Sequence, residues 1–165
     1  MATFRLPILT SNGHPDTSGE VFWQPYSLID TSPPTIDPLV LTFNNSGTKD
    51  GFEGQFTVPQ NYVGTANLVI VWTSSLTSNN PQFDWSVLTR SGTEDMGDGT
   101  TRATETGAGT VPGTAFLRVE TTIALTDGDY AAGDNALFTL FRDSVTDSHA
   151  APIAVFAAYF EYDDA

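Results

Sequence analysis

The segment Phe52-Glu-Gly-Gln-Phe-Thr-Val58 alternates strictly between two kinds of residue. One face of an extended chain would carry Phe52, Gly54, Phe56 and Val58, and the other Glu53, Gln55 and Thr57. This alternation predicts a half-buried β-strand. The same period, or a short run that is apolar on both faces, recurs about eight times between residues 20 and 162, and no segment has a convincing helical period. The sequence therefore predicts an all-β protein.

Turn signals rich in Gly, Pro, Asn and Asp separate the predicted strands. Besides 52–58, these strands are residues 21–28, 39–43, 68–72, 82–88, 116–125, 135–142 and 153–162. About eight such strands fit a two-sheet antiparallel β-sandwich of the jelly-roll type. Pro25 cannot donate to a strand ladder, so it places the strand at 21–28 on an edge or at a bulge. Residues 30–38 and the long segment 91–113 are predicted to be loops, the second facing a partner.

The composition fits one sandwich domain over residues 20–165, preceded by an extended N-terminal arm over residues 1–19. The chain has 165 residues and no Cys, so packing of its 11 Phe, 5 Tyr and 3 Trp must supply the stability. The arm carries one apolar cluster, formed by Phe4, Leu6, Ile8 and Leu9. Two placements are open for the arm: it folds back as an edge strand, or it lies across a neighbouring subunit.

The charge excludes one class of partner. Six basic residues face 20 acidic ones, giving a formal charge of −14, and Lys49 is the only lysine. Binding to a phosphate backbone needs clustered Arg or Lys, so we expect no nucleic-acid partner. No stretch approaches the 18 apolar residues of a membrane span, and the first ten residues do not form a secretory signal. We therefore expect no membrane partner, and a protein that stays in the cytosol or assembles from it.

Residues 68–72 and 153–162 are apolar on both faces. Such strands are either central in the fold or covered by another subunit. In the second strand, Val155, Ala157 and Tyr159 are predicted to share one face, and Phe156, Ala158 and Phe160 the other. The alternative with a second subunit predicts an oligomer.

The residues that usually carry catalysis are scarce. A nucleophilic triad needs a base, and only His14 and His149 are available, both in polar loop sequence. Asp84 and Glu120, on predicted strands, are the candidates for a glycosidase pair, but outward acids on strands are ordinary solubilising residues. We therefore predict that the protein is not an enzyme.

Acidic turns offer a candidate calcium site. Oxygen ligands of the kind calcium prefers are supplied by two groups, Asp127 with Asp129 and Glu94 with Asp95 and Asp98. Asp and Gly are also the ordinary residues of turns, and this explanation is favoured. No cofactor or metal is predicted.

Aromatic side chains on a sheet could form a platform for a sugar, and the candidates are Trp23, Tyr26 and Trp85. Trp85 and Trp72 lie within apolar patterns and are predicted to be in the core. Trp23 and Tyr26, near Pro25, form the cluster predicted to be exposed.

With its strands placed, the chain resembles the small jelly-roll structural proteins of tailed bacteriophages, above all capsid decoration or cement proteins. Three segments carry this resemblance: Phe56-Thr-Val-Pro-Gln-Asn-Tyr-Val-Gly-Thr65, Ala131-Ala-Gly-Asp-Asn-Ala-Leu-Phe-Thr-Leu-Phe-Arg-Asp143 and Phe156-Ala-Ala-Tyr-Phe-Glu-Tyr162. The resemblance implies a homotrimer on the outer surface of the virion that stabilises the head by binding across major capsid subunits. The residues predicted to bind the partner are Phe4, Leu6, Ile8, Leu9, Trp23 and Tyr26.

The alternative is a phage tail, fibre or receptor-binding module that binds carbohydrate. It would use the segment 91–113 together with Trp23 and Tyr26.

Overall fold

The computed structural model describes residues 2–9, 13–15, 21–25, 39–94 and 102–165. Within these ranges the chain forms eleven β-strands and one short 3₁₀ helix, Asp127–Asp129. In chain order the strands are β1 (Thr3–Pro7), β2 (His14–Pro15), β3 (Val21–Pro25), β4 (Leu39–Phe43), β5 (Lys49–Thr57), β6 (Tyr62–Ser74), β7 (Gln82–Arg90), β8 (Ala103–Ala108), β9 (Val119–Ala124), β10 (Asn135–Asp143) and β11 (Ile153–Asp164). No helix in these ranges has the length and apolar character needed to cross a bilayer.

The strands form two antiparallel sheets, which confirms the predicted β-sandwich. Sheet A has the order β3-β4-β11-β6-β9, and β1 pairs with the far end of β11. Sheet B has the order β2-β5-β10-β7-β8. Most successive strands from β4 to β11 change sheet, as in a jelly roll.

Strand β5 has the predicted faces. Phe52 and Val58 are fully buried and Phe56 packs against the core. Gly54 lies beside Phe138, where a Cβ atom would come within 2.6 Å of the ring. The strand begins at Lys49 rather than at residue 52, because the buried Asp50 carboxylate accepts hydrogen bonds from the hydroxyls of the preceding polar turn.

Tryptophans fill the space between the sheets, as predicted. Trp85 stacks on Phe138 with ring centroids 4.7 Å apart, and its Nε1 donates to the Tyr130 hydroxyl at 2.9 Å. Trp72 Nε1 donates to Thr121 Oγ1 at 2.8 Å. Each buried indole N–H is therefore paired, so that burial of the rings is not opposed by an unsatisfied donor.

The two doubly apolar segments lie in the middle of sheet A, which confirms the first of their two alternatives. β6 lies between β11 and β9, and from Leu68 onward both of its faces are buried within the single chain. The predicted faces of β11 are wrong after Val155. A bulge between Val155 and Ala157 shifts the register with β6, so that Ala158 and Phe160 join Val155 in the core.

Two further strand predictions need correction. Residues 91–113 are not a continuous loop, because β8 forms within them and pairs with β7. The sequence did not predict β8 because its Thr and Gly residues are also typical of turns. The strand predicted at 116–125 begins only at Val119. Phe116 has φ +64°, which is incompatible with a regular strand, and the neighbouring Leu117 side chain is exposed.

The N-terminal residues lie against their own chain. β1 pairs with residues 159–163 of β11, the Ile8 amide donates to the Ala158 carbonyl, and the Ile8 side chain is buried in the core. This is the fold-back alternative for the arm. β3 ends at Pro25 on the edge of sheet A, as the proline predicts. The predicted loop at 30–38 lies outside the described residues.

Candidate functional site

The two carboxylates considered as a glycosidase pair lie on opposite sides of the molecule. Asp84 alternates with the buried Trp85 in sheet B, and Glu120 alternates with the buried Thr121 in sheet A, so each points outward. Packed sheets are about 10 Å apart, and outward side chains increase that separation beyond the range in which two acids act on one glycosidic bond. This pair is therefore wrong as a catalytic site.

His149 lies beside a serine but has no access to solvent. Its Nε2 is 2.7 Å from Ser74 Oγ. Its Nδ1 is 2.7 Å from the Asn79 carbonyl oxygen, which can only accept a hydrogen bond, so Nδ1 is the donor there. Both His149 and Ser74 are fully buried. The pair joins the loops at one end of the sandwich and cannot reach a substrate. His14, by contrast, is exposed, with Nε2 3.7 Å from Glu53 Oε2.

The acidic turns do not form a metal cage in the described part of the chain. No group of three or more His, Cys, Asp or Glu side chains comes together there. Asp127 Oδ1 instead accepts the Ala66 amide at 2.7 Å, which fixes the 3₁₀ turn against β6. Asp95 and Asp98 lie outside the described residues.

The residues predicted to bind a partner differ in their exposure to solvent. Ile8 is buried, Leu6 and Leu9 pack against the core, and Phe4 is exposed and stacks on Tyr162. Trp23 is 37% exposed and meets Phe52 edge to face at the margin of the sandwich. Tyr26 lies outside the described residues.

The outward faces of the two sheets differ. In sheet A, the outward residues at the centre are themselves fully buried by the chain, namely Val40, Val69, Val71 and Ala154. In sheet B, Leu88, Leu137 and Phe141 point outward and are only half-buried. Sheet B therefore has the more accessible outer face, and depressions open over β5 and β10 and over β7 and β8.

The first depression, of about 220 Å³, lies over β5 and β10. Its polar wall consists of His14, Glu53, Gln55 and Arg102, and Leu137 supplies an apolar surface. Arg102 reaches from the residue before β8 to β10, where its Nη1 donates to Thr139 Oγ1 at 3.2 Å. The sheet thus brings together residues separated by almost 90 positions in the sequence.

The second depression, of about 280 Å³, is lined by Lys49, Asp84, Ser86, Thr104, Thr106 and Phe141, among others. Lys49 Nζ lies between Asp84 Oδ2 at 2.5 Å and Asp143 Oδ2 at 3.1 Å. The hydrogen bond to Asp84, with that to Asp143, raises the Lys49 pKa despite partial desolvation. Desolvation acts to raise the Asp143 pKa, but the Lys49 contact and Thr146 outweigh it and lower that pKa. The positive charge of the Lys49 side chain is therefore balanced by the Asp84 and Asp143 carboxylates.

Sequence reasoning identified part of this face and missed the rest. The alternation at 52–58 correctly placed Glu53 and Gln55 outward, and that at 82–88 placed Asp84 outward. Arg102 was missed because it precedes a strand hidden in a segment read as loop. Phe141 was missed because its strand is apolar on both faces, so periodicity does not separate core from surface.

No family model and no curated protein matches the sequence. Solved structures do match the fold. They include a CBM35 from Cellvibrio japonicus Abf62, at 12% identity over 99% of this chain and 95% of that one, and the xylan-binding module CBM15, at 14% identity over 99% and 97%. A CBM22-1 xylan-binding domain from Paenibacillus barcinonensis Xyn10C matches at 12% identity over 94% and 88%. The TM-score is 0.50 in each case. At such identities the likeness establishes the β-sandwich fold alone.

Proposed function

We propose that the chain is a non-catalytic carbohydrate-binding module whose ligand lies across the outer face of sheet B. The observation that carries the proposal is the combination, on one accessible sheet face, of polar side chains with half-buried apolar ones. The hydroxyl groups of a sugar need donors and acceptors in fixed positions, whereas the C–H face of its ring needs an apolar surface. Both kinds of surface are present in each of the two depressions.

The dimensions of the face suit a chain of sugars. Adjacent strands lie about 4.8 Å apart, so that the five strands of sheet B extend over roughly 19 Å. The first depression lies over β5 and β10 and the second reaches Thr104 and Thr106 on β8. An oligosaccharide that crosses the strands would occupy both depressions.

Phe141 is the proposed stacking residue. It points outward from the middle strand of sheet B, and the second depression brings it together with Lys49 and Asp84. A phenyl ring offers a flat apolar surface with fixed orientation, and the neighbouring carboxylate and ammonium supply an acceptor and a donor at its edge. We assign this arrangement to binding rather than to catalysis.

The first test is a glycan array followed by calorimetry with the best oligosaccharide. Phe141→Ala should weaken binding about tenfold or more, because it removes the stacking surface. Phe4→Ala is the matched control, since Phe4 is exposed at the edge of sheet A, and it should leave the affinity unchanged. Equal affinity for the Phe141 variant and the wild type would refute this location of the site, and an array without any binder would refute the function.

The assembly role implied by the resemblance to phage decoration proteins is a second proposal. The observation in its favour is a pair of exposed apolar residues, Phe116 and Leu117, which are 42% and 55% exposed. Two hydrogen bonds to β6 hold them: the Phe116 amide donates to the Ser74 carbonyl, and Thr73 Oγ1 donates to the Leu117 carbonyl. An apolar tip held in a strained conformation is suited to contact with a neighbouring protein.

Mass measurement of the purified chain tests this second proposal. A stable trimer that dissociates after Leu117→Asp would support a role at the capsid surface, with the major capsid protein as partner. A monomer at all accessible concentrations would count against the trimer.

A further inference from the structure

We infer, on the basis of the proposed function, that Arg102 and Glu53 form a recognition pair for an uncharged sugar ring with two adjacent hydroxyl groups. The pair would give the first depression a preference for neutral glycans over those that carry uronate or sulfate. The inference adds a ligand class and two specificity-determining residues to the proposed site.

The pairing of β10 with β5 places Arg102 close to Glu53. Arg102 Nη1 is fixed at 3.2 Å from Thr139 Oγ1, and Thr139 is directly opposite Glu53 in the pairing of β10 with β5. Side chains of directly opposite residues in an antiparallel pair have Cβ atoms about 5 Å apart. The guanidinium group is thus held beside the Glu53 side chain, and both line the same depression.

Arg102 and Glu53 both have unused hydrogen-bonding capacity among the described residues. Within the described ranges, the bond to Thr139 is the only one that Arg102 makes, although a guanidinium has five N–H donors. Glu53 Oε2 lies 3.7 Å from His14 Nε2, and the Glu53 side chain is 42% exposed. The two groups lie near one another without forming a salt bridge among the described residues.

Four other cations of the described chain have carboxylate partners. Arg5 is paired with Glu120 and Glu161, Lys49 with Asp84 and Asp143, Arg118 with Glu120, and the buried Arg142 with Asp147. Arg102 has no carboxylate partner among the described residues, and the inferred ligand oxygen would bridge it to Glu53 in the depression that both line.

The donor and acceptor of the Arg102–Glu53 pair match the two hydroxyl groups of a vicinal diol. In a vicinal diol, one hydroxyl can donate to the Glu53 carboxylate while its neighbour accepts from the Arg102 guanidinium. These charge-assisted bonds are about twice as strong as bonds between neutral groups. A uronate or sulfate would instead meet the Glu53 carboxylate at close range and the field of a chain with formal charge −14. A neutral ring therefore fits the pair better than an anionic one.

The test is calorimetry on the wild type, Arg102→Gln and Glu53→Gln. The probes are neutral hexasaccharides of xylose, mannose, glucose and galactose, together with hexagalacturonate. We expect the wild type to bind a neutral hexasaccharide at least tenfold more tightly than hexagalacturonate, and each variant to lose about tenfold for the neutral ligand. Glu53→Gln should also bind hexagalacturonate more tightly than the wild type does, because a like charge is removed.

Arg118→Gln and Glu120→Gln are matched controls, since that Arg–Glu pair lies on sheet A and its ends are 3.1 Å apart. They should bind as the wild type does. Preference of the wild type for hexagalacturonate would overturn the inference and leave the proposed function standing. So would unchanged binding in both sheet B variants while Phe141→Ala is impaired. If the wild type binds no probe and no array glycan, the proposed function fails, and the inference with it.

Discussion

Arg142 lies in β10 with its guanidinium fully buried. Its Nε donates to Asp147 Oδ2 at 2.9 Å and its Nη1 to the Ala151 carbonyl at 2.7 Å, while Nη2 reaches Asp147 Oδ1 and the His149 carbonyl. A buried charge is tolerated only when it is paired and hydrogen-bonded in this way. Arg142 therefore fixes the loop from 144 to 152 against the end of the sandwich.

Asp147→Asn tests this role. It leaves the buried guanidinium without a counter-charge, so the free energy of unfolding should fall by about 3–5 kcal/mol. Glu120→Gln, which removes an exposed carboxylate shared by Arg5 and Arg118, should cost about 1 kcal/mol or less. Urea denaturation followed by Trp fluorescence measures both changes. Equal losses for the two variants would mean that burial of the Arg142 pair has no special energetic weight.

Single residues were predictable from the sequence only where a local pattern determines their surroundings. Trp72 and Trp85 lie in short-range patterns, and both are in the core as predicted. The burial of Arg142 depends on its ion pair with Asp147 in the following loop, and the hydrophobic periodicity of a strand cannot predict a contact of that kind. Arg102 becomes a site residue through Thr139, which is 37 positions away.

At the scale of elements, periodicity located the strands with strong alternation and failed where backbone geometry intervenes. β5 and β7 have their predicted faces. The bulge in β11 and the positive φ of Phe116 change the direction of side chains without any signature in hydrophobicity. The placement of β1 could not be predicted either, because an edge strand can pair equally well within a chain or between chains.

Ile8→Ala tests whether β1 is bound to its own chain in solution. Ile8 is 1% exposed, so truncation should lower the free energy of unfolding by about 2–5 kcal/mol. Phe4→Ala, at a position that is 44% exposed, should cost about 1 kcal/mol or less. Thermal denaturation at several protein concentrations measures both. If Ile8→Ala leaves the free energy of unfolding of a monomeric sample unchanged, the packing of residues 3–8 against their own chain is contradicted.

The whole molecule should lose stability at alkaline pH. Burial raises the pKa of Tyr62 to about 12 and raises that of Tyr130 still more strongly, the donation from Trp85 opposing it. Because these pKa values lie above the unfolded value of 10.0, the contribution is complete below that pH and is lost as the pH rises through the folded values. Tyr130→Phe should lose less stability than the wild type between pH 10 and 12, as measured by urea denaturation at each pH. Parallel loss in both proteins would exclude Tyr130 as a cause.

The functional proposal also concerns the whole molecule, since it assigns different roles to the two outer faces. The central outward residues of sheet A are buried by other parts of the same chain. In sheet B, Leu137 and Phe141 are only half-buried and lie beside polar side chains. The sequence alone predicted the sandwich, but it placed the carbohydrate-binding alternative on loops and on Trp23 and Tyr26. Only the pairing of β5, β10, β7 and β8 shows which distant residues share an open face.

The most direct measurement is amide chemical-shift mapping of the ¹⁵N-labelled protein with a saturating neutral oligosaccharide selected on the array. We expect the largest shifts on β5, β10 and β7, including Glu53, Thr139 and Phe141, and no shifts on β9. Shifts confined to sheet A or to the loops at the ends of the sandwich, or the absence of shifts with every glycan, would contradict this expectation.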